Sequence, residues 1–419
     1  MENLYSFIEK KSSSRLLPHL LFVKCDVLVV GASAAGLMAA ISAANLGTSV
    51  ILLDREFGSF HHCANTLFDG MASRSGVRVE DCCLQKELEG MRILSPSGEG
   101  ATIPAKGYFI DRQKFDQHYL HLAEDAGVIT LDGTARSARA DESRRIISVS
   151  CADGSEAMLR NAGEICASVV VDASGIGSAL AREAGLRPMR HPEDIAWAME
   201  AEVEHPDLGE EMFFQYWIGS LAPGWKATFS PAGGDRATLG VFVRGHGPDV
   251  QPFFRGFLKR FKAYKAEEYR DIEKMKIHAV RRGGDPIAVL PGEMVADSFM
   301  VTGGAAGQSG LAYGMRAGQI CGEVAAGAAA AGDVSRKALS GYERLWKSEF
   351  YWEYRLGRAA LETLIGLNDI EIDRLVRGLS GRSLISGGTL PKKIAHSGAK
   401  VALVRPRTIM ELAWNLVKG

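Results

Sequence analysis

The residues with the clearest chemical use lie between Lys24 and Asp54. Val27-Leu28-Val29-Val30-Gly31-Ala32-Ser33-Ala34-Ala35-Gly36 reads as a β-branched strand, a turn of small residues and the start of an Ala-rich helix. This is the opening of a dinucleotide-binding βαβ unit, in which the turn and the positive end of the helix dipole face a phosphate. Gly31 permits the tight turn, Ser33 stands where a second glycine would lie against the pyrophosphate, and Gly36 lets helix and strand approach closely. About 23 residues after Gly31, Thr48–Leu53 supplies a second strand that ends in Asp54, an acid placed to accept hydrogen bonds from a ribose. An acid there favours an unphosphorylated ribose, so FAD or NAD fits better than NADP. A Gly/Ala-rich turn in an unrelated α/β protein would explain neither the flanking strand and helix nor the spaced acid.

The remaining candidates are weaker. The chain has seven cysteines but no C-x-x-C pair, which speaks against a zinc or iron–sulfur site and fits a reducing, cytoplasmic compartment. His61-His62-Cys63 has no further ligands at suitable spacing, so no metal is expected there. Cys82-Cys83 lies in a stretch that reads as helical, where packing is the simplest role.

At 419 residues, with 46% hydrophobic and 24% charged residues, the chain is long enough for more than one core and has the balance of a soluble globular protein. The net charge of −1 carries no nucleic-acid signal. No run reaches transmembrane length. Residues 1–23 include Leu16–Val23, broken by Pro18; they read as a helical extension packed on the body rather than a signal peptide.

The elements that must position the site follow in order. Phe115, Tyr119, Leu120, Leu122 and Ala123 repeat at helical spacing, and Gly127 ends that helix. Val128–Leu131 and Ile146–Cys151 suggest a small β-meander, and Ser168–Asp172 is a further strand. Ala196–Glu204, Phe213–Ile218, Trp225–Phe229 and Arg236–Val243 read as strands separated by Gly/Pro turns. Phe253–Glu268 is a basic amphipathic helix whose charges read as a solvated face. Residues 336–419 read as helical and basic.

Four ordered blocks carry a resemblance. They are Gly31–Gly36 with Asp54; Ile110-Asp111-Arg112 with Phe115-Asp116; Val171-Asp172-Ala173-Ser174-Gly175 with Ser178; and Phe299-Met300-Val301-Thr302-Gly303-Gly304-Ala305-Ala306-Gly307. Together they resemble the glutathione-reductase-type FAD-binding proteins, in the branch that holds geranylgeranyl reductases and para-hydroxybenzoate hydroxylase. The helix from Met315-Arg316-Ala317-Gly318 and the segment Leu339–Trp346 are similar to the geranylgeranyl reductases in particular. The resemblance spans residues 24–360. It implies an α/β protein: a Rossmann-type FAD-binding domain, an inserted antiparallel β-sheet substrate domain and a helical C-terminal region. The boundaries implied are an N-terminal extension at 1–23, a discontinuous FAD domain at 24–189 plus 286–335, a substrate domain at 190–285 and helices at 336–419, with the flavin ring between the domains.

The resemblance also assigns residues. FAD is expected on Gly31, Ser33, Ala34, Ala35 and Gly36; on Asp54 and Arg55; on Arg112, Ala135 and Asp172; and on Gly303, Gly304, Ala306, Gly307, Gly310 and Leu311. Cys63-Ala64-Asn65 loosely matches a family segment whose cysteine lies near the flavin ring, as a positioning group or proton donor, against the alternative of a packing cysteine. The family pattern is departed from at Gly304, where an aspartate is usual, and at Ser174, where the hydroxylases carry an aspartate. The loop after Gly307 is short.

Pro223-Gly224-Trp225-Lys226-Ala227-Thr228-Phe229-Ser230-Pro231 is similar to the P-x-x-Y-x-W-x-F-P motif of geranylgeranyl reductases, with Lys226, Thr228 and Ser230 at the aromatic places. Alternation along a strand puts these three on one face, and Trp225 and Phe229 on the other. A lysine there suits an anionic group on a ligand shorter or more polar than a geranylgeranyl chain, or a solvent-open cleft. The activity implied is reduction of carbon–carbon double bonds in an isoprenoid or similar small-molecule substrate, with an FAD-dependent aromatic hydroxylase and a flavin dehydrogenase feeding a quinone as alternatives. The electron donor is NAD(P)H or a ferredoxin-type protein. The basic C-terminal region is expected to cap the substrate domain; an alternative is peripheral contact with an anionic membrane, where each basic residue contributes about 1 kcal/mol.

Overall fold

The computed structural model describes residues 8–10, 21–58, 65–141, 144–150, 163–189, 194–287, 289–384 and 390–418. The chain divides into two compact units. The first comprises residues 1–60, 113–190 and 290–351, and the second residues 61–112, 191–289 and 352–419.

The described residues of the first unit hold a nine-stranded sheet. Its strands are β1 (Ile8–Lys10), β2 (Leu21–Val30), β3 (Val50–Asp54), β7 (Ile129–Asp132), β8 (Thr134–Asp141), β9 (Arg144–Ser150), β10 (Glu164–Asp172), β16 (Val295–Ala296) and β17 (Phe299–Val301). Along β17-β10-β2-β3-β7 every pair is parallel. Val27–Val29, Ile51, Leu52 and Val169–Val171 are fully buried, as expected for parallel strands covered on both faces. Of the two strands expected to form a meander, Ile129–Asp132 instead joins the parallel sheet beside β3, while β9 pairs antiparallel with β8, a strand not foreseen, and with the first half of β10. The helices of this unit are α1 (Ala34–Ala44), α3 (Arg112–Asp125), α4 (Leu180–Glu183), α6 (Leu311–Ala331) and the first half of α7 (Arg336–Ile365).

Helices α1 and α6 touch backbone to backbone. A Cβ at Gly318 would fall 2.1 Å from the Ala35 carbonyl oxygen, and one at Gly322 would fall 2.2 Å from that of Ala39. Two glycines one turn apart therefore set how deeply α6 seats on α1.

The second unit is built on an eight-stranded sheet in the order β15-β11-β14-β13-β12-β5-β6-β4. These strands are β4 (Thr66–Phe68), β5 (Leu84–Leu94), β6 (Gly100–Ile110), β11 (Ala196–Glu204), β12 (Phe213–Trp217), β13 (Lys226–Gly233), β14 (Arg236–Arg244) and β15 (Lys276–Asp285). Helix α5 (Gln251–Lys265) covers one face, packing Phe254, Phe257 and Phe261 against Trp217, Ala227, Phe229, Leu239 and Val241. The unit also contains α2 (Asp69–Ser75), the end of α7, α8 (Asp369–Leu379), α9 (Leu390–Val404) and α10 (Pro406–Lys418). Val401 and Val404 pack on a second core of Ala101, Ile372, Leu375 and Val376, so the C-terminal helices cap this unit.

Four expectations are corrected. Residues 61–112 belong to the second unit, because β5 pairs with β12 and so joins β4–β6 to a sheet whose strands β11–β15 lie more than a hundred residues on from β5. Residues Cys82 and Cys83 form a turn leading into β5, not a helix. The described part of the N-terminal extension is strand: Ile8–Lys10 pairs antiparallel with Leu21–Val23, which extends the apolar run of β2. On α5, Lys265 is buried against Glu211 at 2.6 Å and does not join the solvated face.

Candidate active site

Three turns of the first unit meet at the C-terminal ends of its parallel strands, where open α/β sheets bind ligands. The turn after β2 is shaped by Gly31 at φ +104°, and a Cβ there would lie 2.7 Å from the Ala173 carbonyl oxygen. Ser33 caps α1: its Oγ accepts from the Gly36 N–H at 3.3 Å and donates to the Ala173 carbonyl at 3.1 Å. The N–H groups of Ser33, Ala34 and Ala35 have no acceptor among the described residues. They form a cradle of free donors at a helix N-terminus, as a pyrophosphate requires.

Asp54 closes the cradle on one side. Its Oδ2 accepts from the Ala32 N–H at 2.7 Å and its Oδ1 from the Glu56 N–H at 3.0 Å. A carboxylate has about four acceptor sites, so capacity for a ribose remains. Arg55 is exposed beside it. The Gly133 N–H donates to the Asp54 carbonyl at 2.7 Å, which brings Ala135, at the start of β8, close to the same strand end.

Asp172 lies beneath the turn that follows β10. Its carboxyl is fully buried at the end of β10, where Oδ1 accepts from the Ser174 N–H at 3.0 Å and the Ser174 hydroxyl at 2.6 Å, and Oδ2 from the Ser178 hydroxyl. Burial pushes the acid upward, and the two serines oppose that shift. Asp172 therefore shapes the 173–178 turn from beneath. Ser174, which departs from the hydroxylase pattern, is one of the residues that occupy it.

The third turn, Gly303–Ala306, is followed by Gly307 at φ +77° and by Gly310 at φ +90°, immediately before α6 begins at Leu311. A Cβ at Gly303 would strike the Ala35 side chain at 2.8 Å, and one at Gly304 would lie 3.4 Å from the Gly175 Cα. Ala306 is fully buried. An unforeseen network holds this turn: buried Gln308 accepts from the Gly303 N–H at 2.7 Å and donates to the Tyr342 hydroxyl at 2.8 Å, which donates to Thr302 at 3.2 Å. Nothing in the local pattern around Gln308 signals a partner at position 342.

In the second unit, Ala227 and Phe229 are fully buried against α5, which leaves Lys226, Thr228 and Ser230 on the opposite face of β13. Trp225 is not on the Phe229 side. It precedes the strand, and Lys226 Nζ lies 5.0 Å from its ring, 4.5 Å from Tyr216 and 5.1 Å from Phe242. This aromatic cage holds the ammonium by cation–π attraction. No carboxylate pairs with Lys226 among the described residues. Trp225 also borders a cavity of about 550 Å³, whose wall includes Pro223, Leu361, Leu364, Leu367, Ile370 and Ile372.

Two further groups share that sheet face. The Ser230 hydroxyl is hydrogen-bonded to Thr66 at 2.6 Å. Glu200 on β11 is 6% exposed, and burial pushes its carboxyl up to about 7 against the pull of Arg281, Lys226 and Arg112, with Glu202 adding to the rise. Glu200 was missed because Glu200, Glu202 and Glu204 alternate along β11 as solvated residues would. Arg112, expected at the nucleotide, is buried at the start of α3 at the edge of the second unit's 61–112 segment, and its charge acts on Glu200. Cys63 lies outside the described residues.

The model of the FAD dependent oxidoreductase family matches residues 26–194. The chain is 30% identical over 402 residues to digeranylgeranylglycerophospholipid reductase 1 of Methanothermobacter thermautotrophicus, covering 92% of this chain and 98% of the relative. It is 27% identical over 408 residues to digeranylgeranylglycerophospholipid reductase 2 of Methanopyrus kandleri, covering 94% and 99%. Among solved structures, a geranylgeranyl bacteriochlorophyll reductase-like protein from Thermoplasma acidophilum superposes with a TM-score of 0.82 at 23% identity, covering 94% of this chain and 99% of that one, which shows the shared fold.

Proposed function

The chain belongs to the geranylgeranyl reductase-like FAD-dependent oxidoreductases, and from that premise we propose that it reduces carbon–carbon double bonds of an anionic isoprenoid lipid. The observation that carries the substrate reading is the caged Lys226 next to the apolar cavity at Trp225. A cation without a carboxylate partner among the described residues, beside apolar space, suits an amphiphile, with the anionic end at Lys226 and the prenyl chain in the cavity. The strand thus takes the polar end of the substrate and the cavity its tail.

FAD, when bound, supplies hydride chemistry toward one carbon of the double bond. The chain's own residues do the rest. The Ser33, Ala34 and Ala35 N–H groups hold the pyrophosphate, Asp54 the ribose, and the Gly303–Gly307 turn with the α6 N-terminus at Leu311 holds the flavin end. Lys226 orients the substrate. The electrons come from NAD(P)H or a ferredoxin-type donor.

Anaerobically reduced protein mixed with digeranylgeranylglycerophospholipid regains oxidised-flavin absorbance, and each reduced double bond adds two hydrogens to the product mass. Mixing with O₂ gives no oxygenated lipid; finding one would move the assignment to a hydroxylase. Lys226→Met raises KM for the anionic lipid by about 10- to 100-fold, the worth of a charge-assisted hydrogen bond. It leaves kcat and FAD binding near wild type. Tighter use of neutral geranylgeraniol by this variant would show that the strand binds the chain instead.

The substrate's location motivates a membrane contact. On α10, Met410, Trp414 and Val417 recur on one helical stripe and are 65%, 68% and 82% exposed, with Leu403 at 70% nearby in sequence. Lys400, Arg407 and Lys418 lie on the same two helices, α9 and α10. No helix among the described residues is long and apolar enough to cross a membrane. An apolar stripe with basic residues suits a helix lying in the interface plane of an anionic leaflet. Trp414→Glu should cut co-sedimentation with phosphatidylglycerol vesicles at least about tenfold. Equal binding by the variant, or none by the wild type, would remove the membrane contact.

A further inference from the structure

We infer that Tyr342, on α7, is a positioning residue for FAD: with Gln308 and Thr302 it fixes the Gly303–Gly307 turn against the phosphate cradle, an inference that rests on the reading of that turn as part of the FAD site. The three side chains close a ring. The Tyr342 hydroxyl donates to Thr302 Oγ1 at 3.2 Å, the Thr302 hydroxyl donates to Gln308 Oε1 at 3.3 Å, and Gln308 Nε2 donates to the Tyr342 oxygen at 2.8 Å. Tyr342 and Thr302 are fully buried, and Gln308 is 3% exposed. Burial raises the Tyr342 hydroxyl above its ordinary range, so it stays protonated as a donor. Every bond points the same way round the ring, an arrangement in which each bond polarises the next.

Gln308 acts through the turn. Its carbonyl oxygen also accepts the Gly303 N–H at 2.7 Å, and its amide nitrogen also donates to the Met294 sulfur at 3.4 Å. Two acceptor sites and two donors are the whole inventory of a side-chain amide, and all are in use. The amide therefore has nothing left for a ligand and bears on FAD by holding Gly303.

Gly303 in turn bears on the cradle. It has φ +61°, and a Cβ there would lie 2.8 Å from the Ala35 side chain. Ala35 carries one of the three N–H groups offered to the pyrophosphate. The Thr302 N–H donates to the Asp172 carbonyl at 3.0 Å, so the ring also ties the Gly303 turn to the end of β10. Glu343, next to Tyr342, accepts the Met294 N–H at 2.7 Å and anchors α7 to the segment before β16. Without the Tyr342 oxygen, a buried Gln308 N–H loses its acceptor and Thr302 Oγ1 loses its donor. Gln308 can recover a partner only by turning, which releases the Gly303 N–H and with it the fixed approach of the turn to Ala35.

Tyr342→Phe removes one oxygen and keeps the rest of the side chain. Titration of FAD into stripped protein should show affinity about 10-fold lower, the scale of one buried hydrogen bond lost with its partner left unsatisfied. In the same FAD-free protein, hydrogen exchange of residues 302–307 should quicken. Thr302→Val keeps the shape, breaks the ring at a second member and should show both effects. Leu339→Ala removes buried packing from the same helix and is the control. It should lower the melting temperature more than Tyr342→Phe does, as a large-to-small core change, yet leave FAD affinity within about twofold. Wild-type FAD affinity in either ring variant, or an equal loss of affinity in Leu339→Ala, overturns the inference and leaves the FAD site where it is read. Wild-type protein in which added FAD does not slow exchange of residues 302–307 overturns the reading of that turn, and the inference with it.

Discussion

Gly36→Ala should yield a protein that does not retain FAD. The added Cβ would fall 1.9 Å from the Gly31 carbonyl oxygen and 3.1 Å from the Ala173 side chain. The first neighbour is backbone, so no rotamer change relieves the overlap; the turn must open or α1 must move away from β2. Either movement displaces the free N–H groups of Ser33, Ala34 and Ala35 together. These donors act as a unit on one pyrophosphate, so the loss should exceed that of a single contact. We expect FAD affinity to fall by at least about 10²-fold, the equivalent of roughly two charge-assisted hydrogen bonds, and the purified protein to be colourless. The check is flavin absorbance after desalting, with titration of added FAD. A yellow Gly36→Ala protein with unchanged affinity would mean that this turn does not hold the cofactor.

Asp194→Asn should weaken the second unit by about 3 kcal/mol, the lower end of the cost of breaking a buried ion pair. Asp194 is 1% exposed and receives Arg244 at 2.5 Å on one oxygen and Arg358 at 2.7 Å on the other. Arg244 also meets Glu362 at 2.7 Å. One carboxylate thus joins the segment just before β11, the end of β14 and the second half of α7. Asparagine keeps the volume but removes the charge that two guanidinium groups share. Arg358 is partly accessible to water, which limits the loss. Urea unfolding followed by hydrogen exchange in residues 236–244 reports on this unit directly. Protection there equal to wild type would mean that the pairs only decorate the fold.

The two units differ in how far they could be read in advance. The cradle of the first unit depends on neighbours in sequence: Gly31, Ser33 and Gly36 lie within one turn of chain, and Asp54 follows at a spacing set by one helix and one strand. The polar face of the second unit depends on pairings between distant strands. Glu200, Gly240 and Thr228 are brought into one row by two strand registers. The alternation of glutamates along β11 pointed toward solvent, whereas the sheet buries the first of them.

By itself, then, the sequence determined the nucleotide-binding turn, the strands from Ala196 to Arg244 and the placement of Lys226, Thr228 and Ser230 on one face. Local geometry controls all of these: the period of a strand, the φ that only glycine tolerates, and the spacing of a βαβ unit. The tertiary structure alone decided that residues 61–112 join the second sheet, that Asp172 serves its own turn, and that Gln308 and Tyr342 brace the Gly303 turn. It alone also decided which acid is buried next to Lys226. The physical reason is that burial and partner choice depend on which distant segments pack together, and desolvation by those segments, not residue type, moves the Glu200 carboxyl to a value near neutrality.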